Sequence, residues 1–234
     1  MAAQPAPHQG FGAFGKMPAV GDFFRLRAPR DFVEVWDQWL QQGMLDGSRS
    51  LGEAWDSYYM STPLWRFSLS AGLAGAHSVT GVLMPSVDRV GRRFPLTLVA
   101  VRSDDTPVIL SHLRTDTLFQ LVEDLALAAL DDSMTRDRLD EELQSLPLPA
   151  AALGTDSGSG PRGAITFTAP ADGAGPAADL AAAHLAGRYR RPSIWSADID
   201  GTQHLMICEG LPEGSTMQAL FNLNAPIWTE DTAG

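Results

Sequence analysis

One cysteine, one lysine and no long apolar run are what this 234-residue chain has least of. With Cys208 alone, no internal disulfide can form, which is consistent with a reducing compartment. Its setting in the apolar run 205–208 reads as a small hydrophobe, not a nucleophile. No stretch approaches the roughly 18 apolar residues of a membrane-spanning helix. The opening MAAQPAPHQG has neither a positive n-region nor an apolar h-region, so a secretory signal is not expected, and residues 1–10 read as a disordered tail. Histidines 8, 77, 112, 184 and 204 share no metal-ligand spacing, and there is no G-x-S-x-G elbow. No metal, cofactor or catalytic constellation is therefore expected.

The formal net charge of -11 disfavours nucleic acid and anionic lipid as general partners. The charge is unevenly spread. Residues 1–102 hold ten Lys plus Arg against eight Asp plus Glu, whereas residues 103–234 hold seven against twenty. Part of the acidic excess, Asp131, Asp132, Asp137, Asp140, Glu141 and Glu142, forms a charged helical face of the kind that is usually solvated. With 44% apolar and 19% charged residues the chain is globular. Its length suits a single domain over residues 11–230, with a Pro-, Gly- and Ser-rich flexible loop near 147–163.

Periodicity outlines the elements. Asp31 with Glu34 suggests a capping box for a helix burying Phe32, Val35, Trp36, Trp39 and Leu40 and stopping at Gly43. Ser50 with Glu53 suggests a second helix over 51–59, with Leu51, Ala54, Trp55 and Tyr58 inward. Strands are expected at 64–71, 79–84 and 94–102 as antiparallel neighbours. Next come a helix over 115–130, with Leu118, Leu121, Val122, Leu125 and Ala129 as its buried stripe, and a charged helix to 146. Beyond the loop lie a strand near 164–168, an alanine-rich helix near 176–185, two apolar runs joined by Asp200-Gly201, a strong hairpin signal, and a short helix from Ser215. Strand-rich and helix-rich stretches without a βαβ rhythm indicate an α+β fold: a mixed, mainly antiparallel sheet of about five or six strands flanked by helices, an α/β/α sandwich.

Two motifs invite a functional reading. GFGAFGKM places Gly10, Gly12, Gly15 and Lys16 in near-matches to dinucleotide and P-loop patterns. Met17 stands where a P-loop needs a hydroxyl, and no apolar strand precedes the glycines, so the phosphate-cradling geometry is not expected. The glycines read as room for close packing of Phe11 and Phe14. The second motif is the loop 85–93, between the apolar runs 81–84 and 94–101, holding Ser86, Asp88, Arg89, Arg92 and Arg93. A plain connection needs far less chemistry. Three uses are open. Asp88 can pair internally and fix the loop; the guanidiniums can bind a partner's carboxylate or phosphate; or the loop can serve an anion-binding or enzymatic site. Phosphoryl transfer would want further metal-binding carboxylates, and only Asp88 and Ser86 are near.

The run GVLMPSVDRVGRRFPLTLV (81–99), with GKMPAVGDFFR (15–25), DFVEVWDQWLQQGM (31–44) and LGEAWDSYYMSTPLWRFSLSAG (51–72), closely resembles the TagF family, also called ImpM, accessory proteins of bacterial type VI secretion. The resemblance is dense over residues 11–102 and thins afterwards. It implies a late Ser-x-Trp-Trp pair, where this sequence reads Ser193, Ile194, Trp195, Ser196. It also implies an α+β sandwich and Lys16 and Asp22 as polar motif positions. The function it implies is a cytoplasmic, non-enzymatic repressor of secretion that binds a forkhead-associated-domain scaffold protein, without nucleic acid or membrane insertion. Partner contact is expected at Ser86, Asp88, Arg89, Arg92 and Arg93. The alternatives are an anion-binding domain or enzyme using loop 85–93, and a permanent structural subunit of the secretion assembly.

Overall fold

The computed structural model describes residues 10–149, 156–159, 165–168 and 175–229. In chain order the elements are β1 (Phe11–Gly15), β2 (Phe24–Leu26), α1 (Arg30–Leu51), a 3-10 turn (Gly52–Ala54), α2 (Trp55–Met60), β3 (Trp65–Leu69), β4 (Val79–Met84) and β5 (Leu96–Val101). Then follow α3 (Val108–Arg114), α4 (Asp116–Ala128), α5 (Arg136–Ser145), β6 (Asp156–Ser159), β7 (Ile165–Thr168), α6 (Gly175–Leu185), β8 (Pro192–Ile199), β9 (Thr202–Glu209), α7 (Ser215–Phe221) and α8 (Pro226–Thr229).

Seven strands form one sheet in the order β2, β1, β5, β4, β3, β8, β9, and each ladder is antiparallel. β6 and β7 pair separately. The sheet has helices on both sides, as expected of an α/β/α sandwich, with a strand or two more than the sequence suggested. Side chains alternate along β5: Leu96, Leu98 and Ala100 join the core under α4 and α5, while Val99 and Val101 join the core under α1, α2 and α7. Both faces being covered explains why β4 and β5 read as continuous apolar runs. A smaller cluster of Val108, Ile109 and Ile194 seats α3 and α6 on β8.

The tryptophans are core residues. Trp36 stacks between Phe67 and Trp195, at centroid distances of 4.8 and 6.0 Å, and donates its indole N–H to Thr97 Oγ1 at 2.9 Å. Trp65 donates to the Leu220 carbonyl and Trp39 to that of Pro212, so both indoles are satisfied.

Several local expectations are corrected. α1 continues through Gly43 and Gly47 to Leu51, because those glycines make room instead of ending the helix. A Cβ on Gly43 would stand 1.7 Å from Met217 Cε, and one on Gly47 2.3 Å from Trp55 Cζ3. The α1 cap is Pro29, with no capping side chain; Asp31 Oδ2 instead accepts the Ala76 amide at 2.8 Å. The expected second helix is split by the 3-10 turn, and it buries Tyr59, not Ala54 or Tyr58. Val35 and Leu121 face solvent, and Phe119 takes the inward place on α4. The seven-residue α3 is an element beyond those the periodicity predicts. Asp200 and Gly201 form the hairpin turn with φ of 52° and 77°, as that dipeptide favours. Most of the loop 147–163 and residues 1–9 of the tail lie outside the described residues.

Candidate functional site

At one end of the sheet the β4–β5 connection meets the β1–β2 connection, and one backbone and one side-chain hydrogen bond zip them together. The Arg89 amide donates to Val20 O at 3.1 Å, and Arg92 Nη2 donates to Gly21 O at 2.6 Å. Gly15, which closes β1, has a φ of 132°, and a Cβ there would lie 2.0 Å from Pro95 O, so only glycine fits. Beneath the zipper Tyr59 of α2 clamps the start of the loop. Its hydroxyl donates to Ser86 O at 2.8 Å and accepts from Ser86 N at 3.0 Å. Burial pushes the phenol above its ordinary value, so it stays a donor.

Asp88 organises the loop from inside. Its buried carboxylate accepts from the amides of Val90 (3.1 Å) and Arg92 (2.9 Å), from Arg92 Nε (2.6 Å), and pairs with Lys16 Nζ at 3.1 Å. Burial would raise this carboxyl, but the Arg92 amide and guanidinium, Lys16 and the Val90 amide outweigh it and hold it well below the usual carboxylate range. Lys16 is itself buried, and its ammonium also lies 4.6 Å from the Phe23 ring centroid. Arg93 pairs outward with Asp56 of α2 at 2.8 Å.

The residues singled out in the sequence thus divide. Lys16, Asp88, Arg92 and Arg93 are joined in internal pairs. Ser86 is buried, and its Oγ has no partner among the described residues. Asp22 is exposed and caps its own turn through the Phe23 amide at 2.8 Å. Arg89 is exposed and has no carboxylate partner among the described residues; its guanidinium lies against Gly21, where a Cβ would stand 2.9 Å from Nη2. The same two connections carry two exposed apolar side chains, Val90 (70% exposed) and Phe23 (47%). Phe23 packs edge-on against Phe94 at 4.8 Å, which holds the exposed ring in place. Sequence reasoning missed Phe23 as a surface residue, since a Phe-Phe pair reads as core.

A second polar cluster also escaped it. Thr80 Oγ1 donates to Phe67 O, at 3.2 Å, so Thr80 accepts from Ser68 Oγ at 3.0 Å. Ser68 then accepts from His112 Nδ1–H at 3.0 Å, leaving His112 Nε2 to accept from Ser196 Oγ at 2.8 Å. The four residues come from β3, β4, α3 and β8, so no local spacing announces them. Ser196 stands where the family resemblance expects a second aromatic. Ser196 borders a 410 Å³ cleft with Arg66 and Gln120. Burial, with the Arg66 charge, lowers His112 to about 3, which makes it a poor base for that serine. Ser196 sits within the ladders to both β3 and β9, so its backbone offers no spare oxyanion donor. No His, Cys, Asp and Glu group suited to a metal occurs among the described residues. No helix described is long and apolar enough to cross a membrane.

Fold and site together define a three-layer α/β/α domain with a braced, arginine-bearing junction at one sheet end. Residues 12–146 match the family described as TagF N-terminal domain, Type VI secretion system-associated. Among solved structures, the crystal structure of PA0076 from Pseudomonas aeruginosa PAO1 is 33% identical, with a TM-score of 0.69 over 90% of this chain and 93% of that one. No curated protein matches. The chain belongs to the TagF family, and its role lies with type VI secretion.

Proposed function

We propose that this chain is a cytoplasmic, non-enzymatic, post-translational repressor of type VI secretion that binds the forkhead-associated-domain scaffold protein of the same system. Family membership supports the setting. The observation that carries the binding reading is Arg89: an exposed guanidinium without a carboxylate partner among the described residues, on a loop braced at Tyr59, Asp88 and Gly21. A braced surface loses little conformational entropy on docking. Repression then works by occupancy, since scaffold held in the complex is withdrawn from assembly.

The anion-pocket alternative is weaker, because Arg92 and Arg93 are already engaged with Asp88 and Asp56. The test is a secretion assay in cells with an active type VI system. Overproducing the chain should suppress export of the system's secreted proteins at unchanged transcript and protein levels. Undiminished export at tenfold excess of chain over scaffold would sink the reading.

A further inference from the structure

We infer that the junction of residues 17–23 and 88–92 receives an acidic side chain flanked by apolar ones on the partner protein, with Arg89 taking the carboxylate and Phe23 and Val90 the apolar neighbours. This rests on the scaffold-binding reading above and deepens it. The argument begins with which charges are free. Asp88 absorbs Lys16 and one edge of Arg92, and Arg92 Nη2 is held by Gly21 O. Of the two arginines within residues 17–23 and 88–92, Arg89 is the one whose guanidinium no described ion pair or hydrogen bond engages, and its planar fork suits a carboxylate bidentately.

Charge complementarity selects the acidic partner. At the surface of the junction Arg89 and Arg92 outnumber Asp22, since Asp88 is buried and paired with Lys16, whereas the chain as a whole carries -11. An acidic protrusion is therefore drawn to this spot and repelled by much of the remaining surface, which fixes orientation as well as contact. Phosphate recognition draws on clusters of free arginines, whereas within residues 17–23 and 88–92 Arg92 is already engaged by Asp88 and Gly21.

The apolar half stands on Phe23 and Val90. Exposed large apolar side chains occur singly on many surfaces, but these two stand on the same pair of zipped connections as Arg89, and one is packed in place. Phe23 is fixed by Phe94 and by the Lys16 ammonium against its ring, so it costs little ordering on binding. An aromatic and an arginine exposed on one braced junction match the composition of an interface hot spot. Lys16, Asp88, Arg92 and Arg93 are on this account positioning residues that brace the surface.

The experiment is calorimetric titration of the purified chain with the forkhead-associated scaffold of its own secretion cluster. It compares wild type, Arg89→Glu, Phe23→Ser, Val90→Ser and, as a distant control, Arg30→Ala, whose side chain pairs with Glu34 at the start of α1. Melting curves accompany each variant; Arg89→Glu breaks no ion pair and should melt with wild type. The expected result is a Kd raised about tenfold or more by Arg89→Glu, and about three- to tenfold by each apolar variant, with Arg30→Ala unchanged. Arg89→Glu binding as wild type does would overturn the inference and leave scaffold binding standing. No binding by wild type would remove both. Loss of binding after phosphatase treatment of the scaffold would replace the carboxylate by a phosphate and overturn the assignment.

Discussion

Tyr59→Phe removes one oxygen and tests whether the loop is held from beneath. In the wild type that oxygen donates to Ser86 O at 2.8 Å and accepts from Ser86 N at 3.0 Å, inside a side chain with no exposed surface. The Ser86 carbonyl keeps a second partner, the Phe94 amide at 3.1 Å. The Ser86 amide has no other partner among the described residues and would be stranded in the interior. A buried unsatisfied donor costs about 1–3 kcal/mol, and the ring itself still fills its place against Trp55 and Phe221. For a chain of this length each kcal/mol moves Tm by about 2–4 °C, so the expected drop is roughly 2–12 °C. Urea denaturation should show a lower midpoint at an unchanged m-value, since the folded core is not rearranged. A loss below about 0.5 kcal/mol would refute the claim that Tyr59 clamps the loop, and the contact would then be incidental.

Other perturbations probe separate parts of the account. Ser86→Ala should leave stability within about 0.5 kcal/mol or raise it, because the buried hydroxyl has no partner to lose; a large loss in chemical denaturation would point to a hidden role for Oγ. Gly47→Ala should destabilise by about 1–3 kcal/mol despite alanine's better helix propensity, since its Cβ would meet the Trp55 ring; Gly43→Ala meets only the flexible end of Met217 and should lose less in the same melts. His112 is neutral in the fold, with its pKa lowered to about 3, while the unfolded chain takes up a proton below about 6.5. Its contribution is therefore complete above pH 6.5 and is lost as pH falls from there towards 3. Near pH 5 the slope it adds approaches about 1.4 kcal/mol per pH unit, and His112→Gln should flatten the measured curve by that amount.

What could be read in advance followed from local chemistry. β4 declared itself as an apolar run, and Asp200-Gly201 announced the β8–β9 hairpin because that dipeptide accepts positive φ. α1 was read short, since Gly43 has the same letter whether it ends a helix or admits Met217 against its backbone. Tyr58 was preferred to Tyr59 because the 3-10 turn shifts the inward face of α2, a change of pitch that a 3.6-residue period does not show. α3 was missed because Val108, Ile109 and Leu110 in a seven-residue stretch read equally as strand. The loop 85–93 stood out by its density of charge. Which of its arginines was spent and which free depended on Lys16, Gly21 and Asp56, all distant in sequence. The His112 chain was assembled from four elements, and each member alone looked ordinary.

The central claim, that the junction of residues 17–23 and 88–92 is the docking surface, is tested most directly by amide hydrogen exchange of the wild-type chain with and without the scaffold protein. The account predicts added protection in peptides covering 17–23 and 88–92, with α4 and β9 unchanged. Protection confined to α4, β9 or another face, with the junction exchanging as in the free chain, would contradict it.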